Sequence, residues 1–256
     1  MSFFLLDADK STASIGGKEG VTDLFGIPPL EITGGTEQIK RIIREKLSEE
    51  VIEEIDHPFF SKVDSKRRVI RLKKKAREKG LNGFIIDSLS TLGYQTREGL
   101  KREYKQPSMD LQLWGKYGER MMGLIEILKD LEVPVIVTAH VDRDKDEQGG
   151  PIEVPALKGS SKMEAARFFD VIAYTRVTRD RQGNASFAWQ IVADNRRSQA
   201  KSRLPYPTDT GMIAQDFSLL LNHYAAQGID NPKILVIGDS GSGKTTSLKT
   251  LIKEVQ

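Results

Sequence analysis

The 256-residue sequence is 38% hydrophobic and 29% charged, with a formal net charge of +3, and no apolar run approaches the ~20 residues that a membrane-spanning helix needs. With no cysteine there is no disulfide framework and no thiolate metal site, and three scattered histidines argue against structural zinc. The opening MSFFLLDADK is too short and too acidic for a signal peptide, so a cytoplasmic protein with one α/β domain over residues 1–256 is expected.

Taken in chain order, FFLL at 3–6 is the first strand-like run. Asp7 and Asp9 follow it two residues apart, expected on one face of an extended chain. Either carboxylate could orient and deprotonate an attacking water; alternatively, Asp9 caps the Ser11–Thr12 turn. Residues 11–35, with Gly16, Gly17, Gly20, Gly34 and Gly35, read as a loop, and helices are expected over 36–55 and 66–79. Between Lys62 and Lys79 ten Lys or Arg residues face two acids. Such a run is first a solvated helix face, and second a nucleic-acid contact.

GFIID at 83–87 is an apolar strand ending in an acid, so Asp87 would hold Mg²⁺ through water, with Ser88 beside it. A helix is expected over 116–131. The strand VPVIVTA (133–139) delivers His140 to its end, where it could sense a γ-phosphate or simply hydrogen-bond at the surface. Residues 141–158, polar with a Gly-Gly-Pro break, read as a mobile loop. FDVIAYTRV (169–177), FAWQIVA (187–193) and KILVI (233–237) complete the strands, and a helix is expected over 245–255. A second basic cluster spans Arg196 to Arg203. Alternating strands and helices predict a mostly parallel sheet covered on both faces, with ligands at the carboxyl ends of its strands.

GDSGSGKT, from Gly238 to Thr245, meets every fixed position of G-x-x-x-x-G-K-[ST], with a strand before it and a helix after it. In such a turn the backbone around Gly238, Ser240, Gly241, Ser242 and Gly243 forms an anion nest. Lys244 reaches the β- and γ-phosphates, Thr245 ligates Mg²⁺ and Thr246 contacts the α-phosphate, which implies ATP and Mg²⁺ as ligands. A strand should follow the P-loop helix, yet none follows 233–256, while the strand at 3–6 has no helix before it. Joining the two ends restores the usual order, so a circular permutation is expected, with 224–232 (YAAQGIDNP) as its linker.

Read in permuted order from near Asn231, GDSGSGKT, LLDADKS, GFIIDSLSTL and VIVTAH resemble the RecA/RadA recombinase superfamily. The compact form looks most like phage-encoded RecA-like ATPases associated with single-strand annealing recombination. The resemblance implies a RecA-like fold and makes Asp9 the general base, an Asp where the family carries Glu. It also gives His140 the sensor position, which is commonly Gln. Residues 141–158 would be the second DNA-binding loop. Residues 92–115, with Tyr94, Tyr104 and Trp114 among Arg97, Lys101, Arg102 and Lys105, would be the first. In DNRRSQAKSR (194–203), Lys201 and Arg203, with Arg197 behind them, would insert into a neighbour's ATP site. It further implies single-stranded DNA, self-association into a ring or filament and a single-strand annealing protein as partners, in the cytoplasm of a bacterial host. Two other readings are a replicative-helicase-like hexameric motor and an ATP-binding regulatory protein that does not touch DNA.

Overall fold

The computed structural model describes residues 2–25, 29–47, 49–54, 66–71 and 81–252. Strands β1 (Ser2–Asp7), β2 (Leu30–Glu31), β5 (Leu81–Asp87), β6 (Val135–Lys145), β8 (Val171–Arg179), β9 (Ala185–Gln190), β11 (Met212–Ala214) and β12 (Lys233–Gly238) form one continuous path, in the order β11-β9-β8-β12-β6-β5-β1-β2. The pairings from β8 through β12, β6, β5 and β1 to β2 are parallel, and β9 and β11 add antiparallel edges. Two short strands join from the side, β7 (Pro151–Pro155) on β6 and β10 (Lys201–Ser202) on β8. The last strand in the sequence, β12, thus sits in the middle of the sheet, as the permuted reading requires. This is a P-loop NTPase fold.

Alternation along the strands feeds two cores. Phe4 and Leu6 join one, covered by α2 (Gly35–Leu47), α3 (Leu89–Glu103) and α4 (Leu111–Lys129). Phe3 and Leu5 join the other, covered by α1 (Gly17–Phe25), α6 (Phe217–Ala226) and the 3-10 turn Leu248–Ile252. A further short helix, α5 (Ser161–Glu164), precedes β8.

Several expectations are corrected. Segment 11–35 is not a loop: it holds the 3-10 turn Thr12–Ile15, α1 and β2, because Ile15, Val21 and Phe25 bury into the second core. The helix expected over 36–55 stops at Leu47, and the one expected at 66–79 is extended over 66–71, its remainder lying outside the described residues. Strand β3 (Glu49–Glu54) instead pairs antiparallel with β4 (Lys66–Arg71), in a register that sets Glu53 opposite Arg67 and Glu54 opposite Lys66. Val51, Ile52, Val69 and Ile70 are β-branched residue types that favour extended backbone. Most of the basic run 62–79 lies outside the described residues.

Segment 141–158 is not a free loop either, since β6 continues to Lys145 and folds back as β7, with Asp142 opposite Val154 and Lys145 opposite Pro151. Asp146 Oδ1 accepts from the amides of Gln148 and Gly150, closing that turn. Residues 92–115 are mostly helical, within α3 and the start of α4. The expected linker 224–232 opens inside α6, where Tyr224 is buried in the core. The helix expected at 245–255 begins at Lys244 as α7 (Lys244–Ser247) and tightens to 3-10 geometry from Leu248.

Candidate active site

Strand β12 delivers Gly238 to the carboxyl edge of the sheet, and the phosphate loop turns back there. Gly241 (φ +73°) and Gly243 (φ +88°) take left-handed backbone that side-chain-bearing residues resist, and this turns successive amides inward. Lys244 is buried, and its Nζ donates to Gly238 O and Asp239 O at 2.8 Å each. Burial lowers its pKa, while Asp87, Asp9 and Asp239 oppose the shift. Ser242 Oγ is buried without a hydrogen-bond partner among the described residues.

The acids come from strands far away in sequence. Asp87, at the end of β5, is buried, and its Oδ2 accepts from Thr245 Oγ1 at 2.7 Å and Ser11 Oγ at 2.5 Å. The Thr138 hydroxyl donates to the other oxygen, Oδ1. A carboxylate beside the phosphate-loop threonine is a hard oxygen pair suited to Mg²⁺.

Asp7 and Asp9 do not share a strand face. β1 ends at Asp7, and the amides of Ala8 and Asp9 both donate to Asp87 O, at 2.6 and 3.1 Å, which turns the chain. Asp7 is therefore buried, and it is Asp7, not Asp9, that caps the Ser11 turn by accepting from Ser11 N at 3.2 Å. Burial raises the Asp7 pKa, and the Asp87 charge adds to the rise. Asp9 faces the cleft, with Oδ2 3.1 Å from His140 Nε2. Burial pushes the Asp9 pKa up, but hydrogen bonds from His140, Thr91 and Ser88 outweigh it and hold the group below its usual value.

Asp9, Ser11, Asp87, His140, Lys244 and Thr245 all line one cleft of about 440 Å³, together with Ser240, Gly241, Gly243 and Thr246. Its chemistry is mixed: amides and an ammonium for phosphate oxygens, carboxylate and hydroxyls for a metal, and a carboxylate–imidazole pair for a water. Sequence reasoning missed Ser11, Ser14 and Thr138. Thr138 was detectable, lying two residues before His140 on the same strand face. Ser11 was visible only as a hydroxyl shortly after the DAD motif.

The basic candidates lie elsewhere. Lys201 pairs with Ile172 and Ser202 with Val171, at the amino end of β8 and so at the edge of the sheet opposite Gly238. Lys201 and Arg203 line a separate cavity of about 710 Å³ with Lys129, Arg167, Asp170 and Lys233, and Arg203 Nη1 bonds Asp170 Oδ1 at 3.0 Å. Arg197 is buried and ion-paired with Glu153 at 2.8 Å rather than projecting as a finger. Of the aromatics on 92–115, Tyr94 is exposed under Arg97, and Tyr104 is exposed under Lys116. Trp114 packs against the core beside Tyr117.

No helix among the described residues is long and apolar enough to cross a membrane. Residues 2–204 match the family model described as an AAA domain, a stretch that ends before the phosphate loop which the fold seats against it. No curated protein and no solved structure matches.

Proposed function

Because the chain belongs to the AAA-domain family of P-loop ATPase-type proteins, we propose that it is a Mg²⁺-dependent ATPase of the RecA-like kind, acting on single-stranded DNA in recombination or annealing. One observation carries the ATPase reading: Asp9 with His140, and Asp87 with Thr245, converge on Lys244 from three separate strands and a loop. The RecA-like kind is supported by Asp9 following the strand next to that of Asp87, with Leu6 beside Ile86.

Thr245 and Asp87 would hold Mg²⁺, which supplies charge neutralisation for the β- and γ-phosphates. Lys244 and the loop amides bind the phosphates and stabilise charge that grows there. A water bonded to Asp9 attacks the γ-phosphorus, the bond to the ADP oxygen breaks, and the water's proton passes toward Asp9. With its pKa held low, Asp9 is a weak base. Its main work is therefore to orient the water, which suits a loose phosphoryl-transfer transition state. His140 fixes the rotamer of Asp9 and links it to the γ-phosphate.

Two features support DNA as the effector: exposed Tyr94 and Tyr104 beside cations, and Arg143, Arg176 and Arg179 around a hollow that adjoins Asp239–Ser242. Stacking and phosphate contacts suit a single strand. Lys201 and Arg203 act in a ring or filament, from one copy upon the phosphate site of the next, alongside a single-strand annealing protein in the cytoplasm of a bacterial host. The test is the steady-state ATPase rate with and without single-stranded DNA at two salt concentrations. Stimulation that weakens with salt is expected; a rate indifferent to DNA at both concentrations would remove the DNA-dependent reading and leave the ATPase.

A further inference from the structure

The phosphate cleft accounts for the charged end of a nucleotide, and a separate apolar feature lies beside its loop. On β9, Phe187 and Trp189 project from the same face, two residues apart. Trp189 is buried in the core against Phe217, with ring centroids 4.6 Å apart. Phe187 lies nearer the rim and is 43% exposed, and its cross-strand partner Val177 is 42% exposed. The apolar face that β8 and β9 bury lower down thus continues uncovered past the carboxyl end of the sheet, where open α/β folds take their ligands.

An isolated exposed phenylalanine would need no explanation. This one abuts the phosphate loop: a Cβ placed on Gly243 would lie 3.3 Å from Phe187 Cδ1 and 2.7 Å from Gln215 Oε1. Gly243 itself lines the phosphate cleft. Gln215 Nε2 donates to Ser242 O at 3.2 Å and to Ala188 O at 3.1 Å, so one amide ties the loop to the residue next to Phe187. Ring and loop are held in fixed relation.

We propose that Phe187, flanked by Val177, is the stacking platform for the base of the nucleotide whose phosphates the loop holds, and that Gln215 is a positioning residue setting the gap between the two. The assignment rests on the ATP-binding reading. A heteroaromatic base presents a flat π-face, and an offset stack on a phenyl ring also buries apolar surface. Phenylalanine offers no hydrogen-bonding group to a base edge, so the platform grips ATP and GTP alike and adds nothing to a ligand without a base.

The test is equilibrium binding of ATP, GTP and inorganic tripolyphosphate, each with Mg²⁺, to the wild-type chain and to Phe187→Ala and Phe187→Trp. Phe187→Ala should weaken ATP and GTP by about ten- to a hundredfold while leaving tripolyphosphate unchanged, as expected for loss of one stacked base. Phe187→Trp should restore both nucleotides. Three results would overturn the platform: Phe187→Ala binding ATP as the wild type does, equal weakening of ATP and tripolyphosphate (a ring that merely props the loop), or loss of self-association in sedimentation with nucleotide affinity intact (a contact between copies). Wild-type protein that binds neither ATP nor tripolyphosphate would sink the phosphate-loop reading itself, a result separable from the other three.

Discussion

Cations gather at both ends of this sheet, and the two gatherings differ in kind. At the carboxyl end, Lys244 stands among Asp9, Asp87 and Asp239, beside loop amides turned inward by Gly241 and Gly243. At the amino end, Lys129, Arg167, Lys201, Arg203 and Lys233 surround a larger cavity that has Asp170 as its acid. Counting charge would choose the amino end for a polyphosphate. Geometry chooses the other, because a triphosphate with Mg²⁺ needs amides and carboxylates together, and among the described residues Asp170 is the one carboxylate lining the amino-end cavity. The most buried cation there, Lys233, serves the scaffold instead, its Nζ donating to Leu131 O, Val133 O and Asn231 O at 2.6, 2.9 and 3.0 Å. A lysine satisfied by three carbonyls holds loops together.

That contrast can be broken by substitution, and the largest effects belong at the carboxyl end. Lys244→Ala should cut ATP turnover by about 10²–10³-fold or more while the protein stays folded. Asp9→Asn should spare nucleotide binding and reduce kcat by about 10²-fold. If Asp7→Asn reduces kcat and Asp9→Asn does not, the roles of the two carboxylates are reversed.

At the amino end the readout is stability. Burial pushes the Lys233 pKa down to about 8, against 10.5 for an ordinary lysine. The unfolded chain therefore binds more protons than the folded one between those values, so wild-type stability should rise with pH across that window. The shift corresponds to at most about 3 kcal/mol. Lys233→Met should flatten the rise in denaturant titrations at pH 8 and 10.5. It should also destabilise the fold by about 1–3 kcal/mol through the carbonyls it abandons, with ATP affinity unchanged. A loss of ATP affinity there would dissolve the distinction between the two ends.

The smallest effect concerns Asp7. Its folded pKa is raised, so its ionisation opposes folding: the penalty is absent below the unfolded value and grows as pH rises through the folded one. Asp7→Asn should stabilise the protein at pH 7, less the strength of the Ser11 bond, and the gain should vanish near pH 3. Equal gains at both pH values would mean that charge is not the cause.

The parts of the site that depend on local sequence were legible from it. Gly238 to Thr245 carry their own geometry, since the turn needs its glycines wherever it occurs, and Asp87 and His140 end short apolar runs whose length and β-branched residues read as buried strands. What failed depends on partners distant in sequence. Residues 141–158 look like a loop because the outer arm of β6 and the turn after it are polar and exposed, which masks the pairing of Asp142 with Val154 although β7 itself is buried. The place of Lys201 and Arg203 at the edge of the sheet opposite their own phosphate loop, which leaves the expected role on a neighbour's site untouched, becomes visible only through the ladder to β8. The exposed Phe187 reads as one more strand residue until Gly243 is placed beside it. Asp7 and Asp9 differ because a carbonyl of Asp87 pulls the chain round between them, and no periodicity records that.

The central position of β12 also bears on how the molecule is assembled. As a ribosome extends this chain, β6 and β8 both emerge before the strand that separates them, each with one flank open. The half bearing Asp9, Asp87 and His140 and the half bearing Phe187 can each collapse early, yet until residues 233–238 arrive no strand pairs β6 with β8, and the halves meet only at side contacts such as Arg197 with Glu153. The wedge that closes the sheet is followed at once by the loop that makes it useful, so completion of the scaffold and acquisition of the triphosphate cradle coincide. A nascent chain halted before residue 233 would expose two naked strand edges, the kind of surface that chaperones shield.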